Sequence, residues 1–276
     1  MSDFLVLEGF SPVPQGPTLT MTLRSGESLC VLGPASGGKT RFLRAVLGAE
    51  RASQGRAALN GDLVAAGMSL WPRRATPLSI ARRAAHSRKT ELVAEALVLC
   101  GLWDQREQPV ESLSSSFRAA CELLPCLAAE PGLLAIDGQL DRLDPWTLQT
   151  VVHGLHKRLL HGSALLVATN RPEFAPHFDH LVVLNKSQIR FVGTLEEMMR
   201  EHGECEIEVE TQNQPGVRAL VDSFEVSIKK TDTGLIMRAA EGQQIAAKLL
   251  TEGYGDVKMV IVREPSIQDV LNEVVK

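Results

Sequence analysis

The residues with the most specific chemistry are Gly33-Pro34-Ala35-Ser36-Gly37-Gly38-Lys39-Thr40. They fit the spacing G-x-x-x-x-G-K-[ST], in which each residue type has a physical task. The glycines let the backbone curl so that successive N–H groups converge on phosphate oxygens. Lys39 brings a point charge to the outer phosphates, and the Thr40 hydroxyl is a ligand for Mg²⁺. Arg41 follows directly and belongs to the same cofactor-binding segment. A helix starting there would aim its positive end at the same anion. Far downstream, Asp137 closes the apolar run Leu133-Leu134-Ala135-Ile136. A carboxylate at such a strand end is the second Mg²⁺ group of phosphate-loop proteins. The cofactors expected are therefore ATP and Mg²⁺.

These residues need elements to hold them. Ser28 to Leu32 is a short apolar run ending at Gly33, as a buried strand before a tight loop would be. Thr40 to Leu47 places Phe42, Leu43, Val46 and Leu47 on one side and stops at Gly48, which predicts a helix. Strands are expected at 4–8, 19–23, 133–136, 164–168 and 181–184, and helices at 91–102, 118–129 and 146–160. Pro125 is expected to interrupt or kink the second of these helices. The proline-rich stretch 11–17 is a loop. Strands alternating with helices predict an α/β fold with a largely parallel sheet. Near residue 203 the pattern changes. Glu204, Glu206, Glu208 and Glu210 alternate with Cys205, Ile207 and Val209, and a β-α-β-β-α-β-α order follows. The domains read as 1–203, nucleotide-binding, and 204–276, a small α+β accessory domain.

Composition sets limits. The chain has 276 residues, a net charge of −4 and 4% aromatics with a single tyrosine, Tyr254. No basic excess points to nucleic acid. No apolar run is long enough to span a bilayer, and the start lacks the charge and core of a signal peptide. The cysteines, Cys30, Cys100, Cys121, Cys126 and Cys205, are five and scattered, so reduced, buried thiols are expected.

With both nucleotide motifs in place, residues 4–203 resemble the ATP-binding subunit of an ABC transporter. Ser53-Gln54-Gly55-Arg56 to Leu59-Asn60-Gly61 is similar to the family's strand and turn after the first helix, and Leu143-Asp144-Pro145 matches its D-loop. Leu113-Ser114 stands where the family signature begins. The tail Arg263-Glu264-Pro265-Ser266-Ile267-Gln268-Asp269-Val270-Leu271 resembles the subgroup that drives exporters with separate permeases. The resemblance implies a P-loop NTPase fold with antiparallel β and helical subdomains. It also implies a separate transmembrane permease as partner, a homodimer or a heterodimer with another ABC ATPase subunit, and a cytoplasmic, peripheral position on the inner face of the membrane. In the family, the residues at Ser114, Ser115, Ser116 and Asp144 contact the ATP held by the opposite subunit.

The chain departs from the family at several positions. The signature Leu-Ser-Gly-Gly-Gln is here Leu113-Ser114-Ser115-Ser116-Phe117, which adds two β-carbons where phosphate approaches backbone. The glutamate after the strand-terminal aspartate is Gly138, and the switch histidine is Asn170. No glutamine lies between Gln54 and Gln105, so the family's Mg²⁺-contacting glutamine, expected near 68–72, is missing. Loop 11–17 holds no aromatic to stack on adenine, with Phe10 at its edge. Nucleotide binding with weak or absent hydrolysis is expected. The alternative readings are a pseudo-ATPase that regulates or scaffolds an active ABC subunit, and a P-loop protein without a membrane partner. A nearby carboxylate, Asp141, is weighed as a substitute acid and read as an ordinary loop residue. The basic cluster Arg73, Arg74, Arg82, Arg83, Arg88 and Lys89, with Trp71 and His86, lies where the family meets its permease.

Overall fold

The structure is a computed structural model, and it describes every residue except 1, 68–70, 73, 86–89 and 254. Two compact units divide the chain: 1–193 with Val275, and 194–274 with Lys276.

The first unit begins with β1 (Asp3–Ser11), β2 (Leu19–Arg24) and β3 (Ser28–Leu32), then α1 (Lys39–Val46), β4 (Gln54–Leu59) and β5 (Leu63–Ala65). The helical segment follows with α2 (Pro77–Ala84), α3 (Thr90–Leu99) and α4 (Ser115–Ala128). It closes with β6 (Leu133–Asp137), α5 (Pro145–Leu160), β7 (Ala164–Thr169), β8 (His180–Asn185) and β9 (Gln188–Gly193). One sheet has the order β5-β6-β7-β3-β8-β9, parallel except for the antiparallel edge pair β8–β9. The other is antiparallel, in the order β2-β1-β4.

Successive side chains of a strand point to opposite faces, and the central strands feed two cores accordingly. Leu134, Ile136, Leu165 and Val167 join Leu97, Leu123 and Leu124 of the helices. Leu133, Leu166 and Ala168 join Leu5, Leu7, Phe42 and Leu29 on the side of α1 and the antiparallel sheet. Both faces being covered explains why β3 and β7 are fully buried and apolar apart from Ser28 at the start of one and Thr169 at the end of the other. The α/β P-loop architecture with antiparallel and helical lobes stands as expected. α4 runs through Pro125 from Ser115 to Ala128, so the proline does not divide it. β9, absent from the sequence expectations, carries an alternating pattern with Ile189 and Phe191 buried.

The second unit begins at α6 (Leu195–His202), a helix that sequence reasoning did not separate from the first domain. Thr194 caps it, accepting from the Glu197 N–H at 3.2 Å, while the Glu197 carboxylate accepts from the Thr194 N–H at 2.7 Å. β10 (Cys205–Thr211), α7 (Gln214–Val221), β11 (Ser227–Lys230), β12 (Gly234–Ala239), α8 (Gly242–Glu252), β13 (Val257–Arg263) and α9 (Ile267–Val274) follow. The antiparallel sheet order β11-β12-β10-β13 is that of a ferredoxin-like split βαβ pair. Its core comprises Ile207, Val209, Leu235, Met237, Ile245 and Leu249. Glu206, Glu208 and Glu210 face outward and pair with Arg238, Arg263 and Lys258, as half-exposed strand charges should.

All five cysteines are free and buried. Burial pushes the Cys100 and Cys126 thiols well above their ordinary range, which leaves them unreactive.

Candidate nucleotide-binding site

The site lies where β3, β6 and β7 end together. Leu32 pairs with Thr169 and Asp137 with Ala168, so Gly33, Asp137 and Thr169 meet at one end of the parallel sheet. Ligands of open α/β sheets bind at this end. β3 is anchored below by Asp179, whose carboxylate accepts from the Ser28 N–H at 2.9 Å and the Ser28 hydroxyl at 2.6 Å.

Only glycine fits at position 33. A β-carbon there would stand 2.2 Å from the carbonyl oxygen of Leu184, and φ is +151°. The chain then crosses Pro34, Ala35 and Ser36, all exposed, to Gly37, whose N–H donates to the Pro34 carbonyl at 2.8 Å. Gly38 opens α1, and Arg41 is exposed on its first turn. Lys39 Nζ donates to the carbonyls of Gly33 and Pro34, each at 2.8 Å. Partial burial pushes the Lys39 ammonium down from its ordinary value, while Asp141 and Asp137 oppose that shift. A partly desolvated cation in this loop, with no counter-ion contact among the described residues shorter than its bonds to two carbonyls, favours an anion.

The Thr40 hydroxyl donates to Asp137 Oδ1 at 3.0 Å. This contact joins two of the expected Mg²⁺ groups across 97 residues of sequence. One carboxylate and one hydroxyl, open to solvent, suit a small hard cation that takes its remaining ligands from water and phosphate. Among the described residues no group of three or more His, Cys, Asp or Glu side chains could hold a metal by itself. The residues present fit Mg²⁺ held jointly with a nucleotide.

Ser114, Ser115, Ser116 and Asp144 form a second group. Ser114 caps α4, accepting from the Phe117 N–H at 3.3 Å. Ser115 and Ser116 are the first residues of that helix. Asp144 caps α5 through the N–H groups of Trp146 and Thr147 at 3.1 and 3.0 Å, and its Oδ2 accepts from the Ser116 hydroxyl at 3.3 Å. The Thr147 N–H holds the Asp144 carboxyl below its ordinary value. Among the described residues no hydrogen bond ties this group to 33–41.

Gly138 has φ +79°, a left-handed backbone. Its N–H donates to the Ala168 carbonyl at 2.9 Å, holding the loop against β7. A Gly138→Glu change therefore sets a β-carbon in strained backbone, at a cost of about 1–2 kcal/mol. It also brings a second carboxylate toward Asp141. The variant is expected to melt at a lower temperature than wild type and to stay well short of full hydrolysis, as read by phosphate release.

Two expectations meet the structure differently. Phe10 is fully buried and packs edge-on against Phe42, with ring centroids 5.4 Å apart. It belongs to the core and has no face to offer adenine. The missing glutamine was expected near 68–72, of which Met68, Ser69 and Leu70 lie outside the described residues, as do Arg73, His86, Arg88 and Lys89 of the basic cluster. Arg74, Arg82 and Arg83 are exposed. Asn170 is exposed at the end of β7, and its N–H donates to Asp141 Oδ2 at 3.2 Å.

Gln139, which the sequence places with Asp141 near the missing acid, has a bracing role that the sequence does not display. Gln139 is buried behind Asp137, and its Oε1 accepts from the Asp137 N–H at 2.8 Å. Its Nε2 donates to Glu122 of α4 at 3.2 Å and to the Ala66 carbonyl at 3.4 Å. Glu122 is in turn held by Arg142 at 2.6 Å. The network fixes the loop after β6 to the start of the turn at 66–67. No spacing rule could reveal it, because Glu122 and Ala66 come from distant segments.

No protein-family model matches the chain. Solved structures do. An ATP-binding subunit of an ABC transporter superposes with a TM-score of 0.59 at 17% identity, over 72% of this chain and 92% of the other. A nucleotide-free ATP-binding cassette from an ABC transporter gives 0.57 at 17% identity, over 72% and 94%. The fold is that of an ATP-binding cassette. Curated relatives of this cassette include the Fe(3+) ions import ATP-binding protein FbpC 2 of Rhizobium meliloti (strain 1021), 28% identical over 218 residues, covering 70% of this chain and 54% of that protein. The sulfate/thiosulfate import ATP-binding protein CysA of Yersinia pseudotuberculosis (serotype I, strain IP32953) is 26% identical over 215 residues, covering 66% and 57%. The FbpC of Streptomyces coelicolor is 32% identical over 190 residues, covering 61% and 54%. The chain spans about half the length of these relatives. No helix among the described residues is long and apolar enough to cross a membrane.

Proposed function

We propose that the chain is the ATP-binding subunit of an ABC-type membrane transporter, and that it binds MgATP weakly to moderately while hydrolysing it slowly. The observation that carries the binding half is the Thr40–Asp137 hydrogen bond beside the lysine-lined loop. On this reading the Lys39 ammonium leaves the Gly33 and Pro34 carbonyls for the outer phosphates, and the backbone N–H groups of the loop take the remaining oxygens. Thr40 and Asp137 hold Mg²⁺, which neutralises phosphate charge when bound. The Asp137 backbone is kept in place by Gln139.

The slow half rests on Gly138, Asn170 and Ser114-Ser115-Ser116. Losing one positioned acid or base costs about 10²–10⁴ in rate. Losing a positioned donor to phosphate costs about 10²–10³. The phosphate cradle keeps its full complement, so affinity suffers far less than turnover.

A separate transmembrane permease and a second ATPase subunit, identical or not, are the partners of this reading, at the cytoplasmic face of the membrane. A groove of about 400 Å³ beside Leu78, Arg82, Val93, Leu97 and Trp103, on the helical lobe, supports a permease contact there. The tail 263–271 supports export, whereas the relatives named above are import proteins, so direction is a matter for a transport assay. The pseudo-ATPase reading is favoured by the same degenerate positions, and differs in requiring a motif-complete partner.

Both are tested by one purification. A tagged chain expressed with its genomic neighbours should bring down a membrane subunit and bind ATP, with phosphate release far below one per second. Ordinary turnover by the chain alone would refute the slow-hydrolysis half. A motif-complete ATPase in the same complex would select the regulatory reading.

A further inference from the structure

We propose that Asp141 is the acid of this site, its carboxylate taking the place of the side chain that Gly138 lacks and orienting the water that attacks the outer phosphate. The inference rests on the reading of the chain as an ATP-binding subunit with slow hydrolysis, and assigns the group responsible for the slow reaction.

Position comes first. Asp141 Oδ2 lies 3.9 Å from the point at which a β-carbon on Gly138 would stand, and among the described residues no other atom outside the chain neighbours comes within 4 Å of that point. A short 3₁₀ turn over Leu140–Arg142 folds the chain back to achieve this, with the Asp141 N–H donating to the Gly138 carbonyl at 3.3 Å. The left-handed backbone of Gly138 makes that fold-back available. Glycine at 138 and aspartate at 141 thus form one arrangement.

Orientation comes second. The Thr169 hydroxyl donates to Asp141 Oδ1, and the Asn170 N–H donates to Oδ2 at 3.2 Å. The Arg171 N–H donates to Thr169 Oγ1 at 3.1 Å, and the Arg171 guanidinium donates to the Asp141 carbonyl at 3.3 Å. Thr169 is fully buried and pairs with Leu32, the residue before the phosphate loop. The carboxylate is therefore fixed at the sheet end that carries Lys39 and Asp137. Each of its oxygens keeps a lone pair beyond the bond it accepts, enough to take a water proton. Asp137 is already engaged by Thr40, which leaves Asp141 as the carboxylate for water. Its charge weighs on the Lys39 ammonium ahead of that of Asp137, in keeping with this placement.

The reaction balances without a further reagent. The water oxygen bonds to the outer phosphorus as the bridging P–O bond breaks. The bridging electron pair leaves on ADP, and the water proton passes through Asp141 to the departing phosphate.

The test compares the full chain with Asp141→Asn and Thr169→Val, following phosphate release and the Kd values of ATP and ADP. Asp141→Asn should lose about 10²-fold in hydrolysis. It should bind ATP about fivefold more tightly relative to ADP, because a negative charge beside the outer phosphate is gone. Thr169→Val keeps the charge while releasing its hold. It should leave the ATP-to-ADP ratio unchanged and lower kcat with little effect on KM, which covers the case of an Asp141→Asn chain that does not fold. Wild-type hydrolysis in either variant, or no hydrolysis in a wild type that binds ATP, overturns the assignment alone. A wild type that binds no ATP overturns the underlying reading and the assignment together.

Discussion

Lys39→Ala is expected to lower ATP affinity by about 10²-fold, since hydrogen bonds to charged groups contribute about 1.5–3 kcal/mol each and the role proposed for Lys39 is at the outer phosphates. The fold should barely notice. Lys39 makes two hydrogen bonds to loop carbonyls, which its removal loses, but it is also a cation whose burial disfavours its charge. The two effects oppose, so the melting temperature without nucleotide should stay within a few degrees of wild type. Equilibrium titration with ATP, read beside thermal unfolding with and without MgATP, separates the outcomes. Ligand that binds only the folded state raises the melting temperature of wild type and should leave Lys39→Ala unmoved. Equal ATP affinity in the two proteins would remove the phosphate-loop assignment.

Gly33→Ala is expected to damage both stability and binding. The added β-carbon would meet the Leu184 carbonyl oxygen at 2.2 Å, within backbone on both sides, so neither partner can turn away. The strands carrying Leu32 and Leu184 must separate, at a cost of about 3 kcal/mol by the magnitudes of overpacking and backbone strain. For a unit of this size that lowers the melting temperature by roughly 10 °C. ATP binding should fall with it, because the first N–H groups of the loop shift along with Gly33. Gly48→Ala is the control: φ is +73° there, but a β-carbon finds nothing within 4 Å among the described residues. It should cost only about 1 kcal/mol and leave binding intact. Similar losses in the two variants would mean that the close approach at Leu184 does not matter.

The contrast between these glycines shows what kind of information a sequence holds. Gly33-Pro34-Ala35-Ser36-Gly37-Gly38-Lys39-Thr40 is contiguous, and a motif whose parts are neighbours in the chain is visible as spacing. The strand before it and the helix after it are legible for the same reason. Asp137 is legible because a buried parallel strand is an apolar run and its end is marked by the first polar residue. Phe10 shows the limit. Its place at the edge of a loop left a stacking role open, but whether a ring faces solvent depends on what packs over it, and Phe42 does. α6 and β9 were missed where a clear change of pattern ten residues later drew the boundary, although Thr194 and Glu197 carry a capping signal.

From the sequence alone came the phosphate-loop motif, the α/β class, the appended α+β unit and the glycine that follows Asp137. All of these follow from residue types at short range, where covalent connectivity sets the geometry. Only the tertiary structure decided that Thr40 meets Asp137, that Gln139 braces the strand end against Glu122, and that Asp141 turns back toward the space beside Gly138. Those contacts join segments brought together by the sheet order β6-β7-β3 and by helices packed on it. Burial of many apolar side chains imposes that arrangement collectively, so no single stretch of sequence displays it.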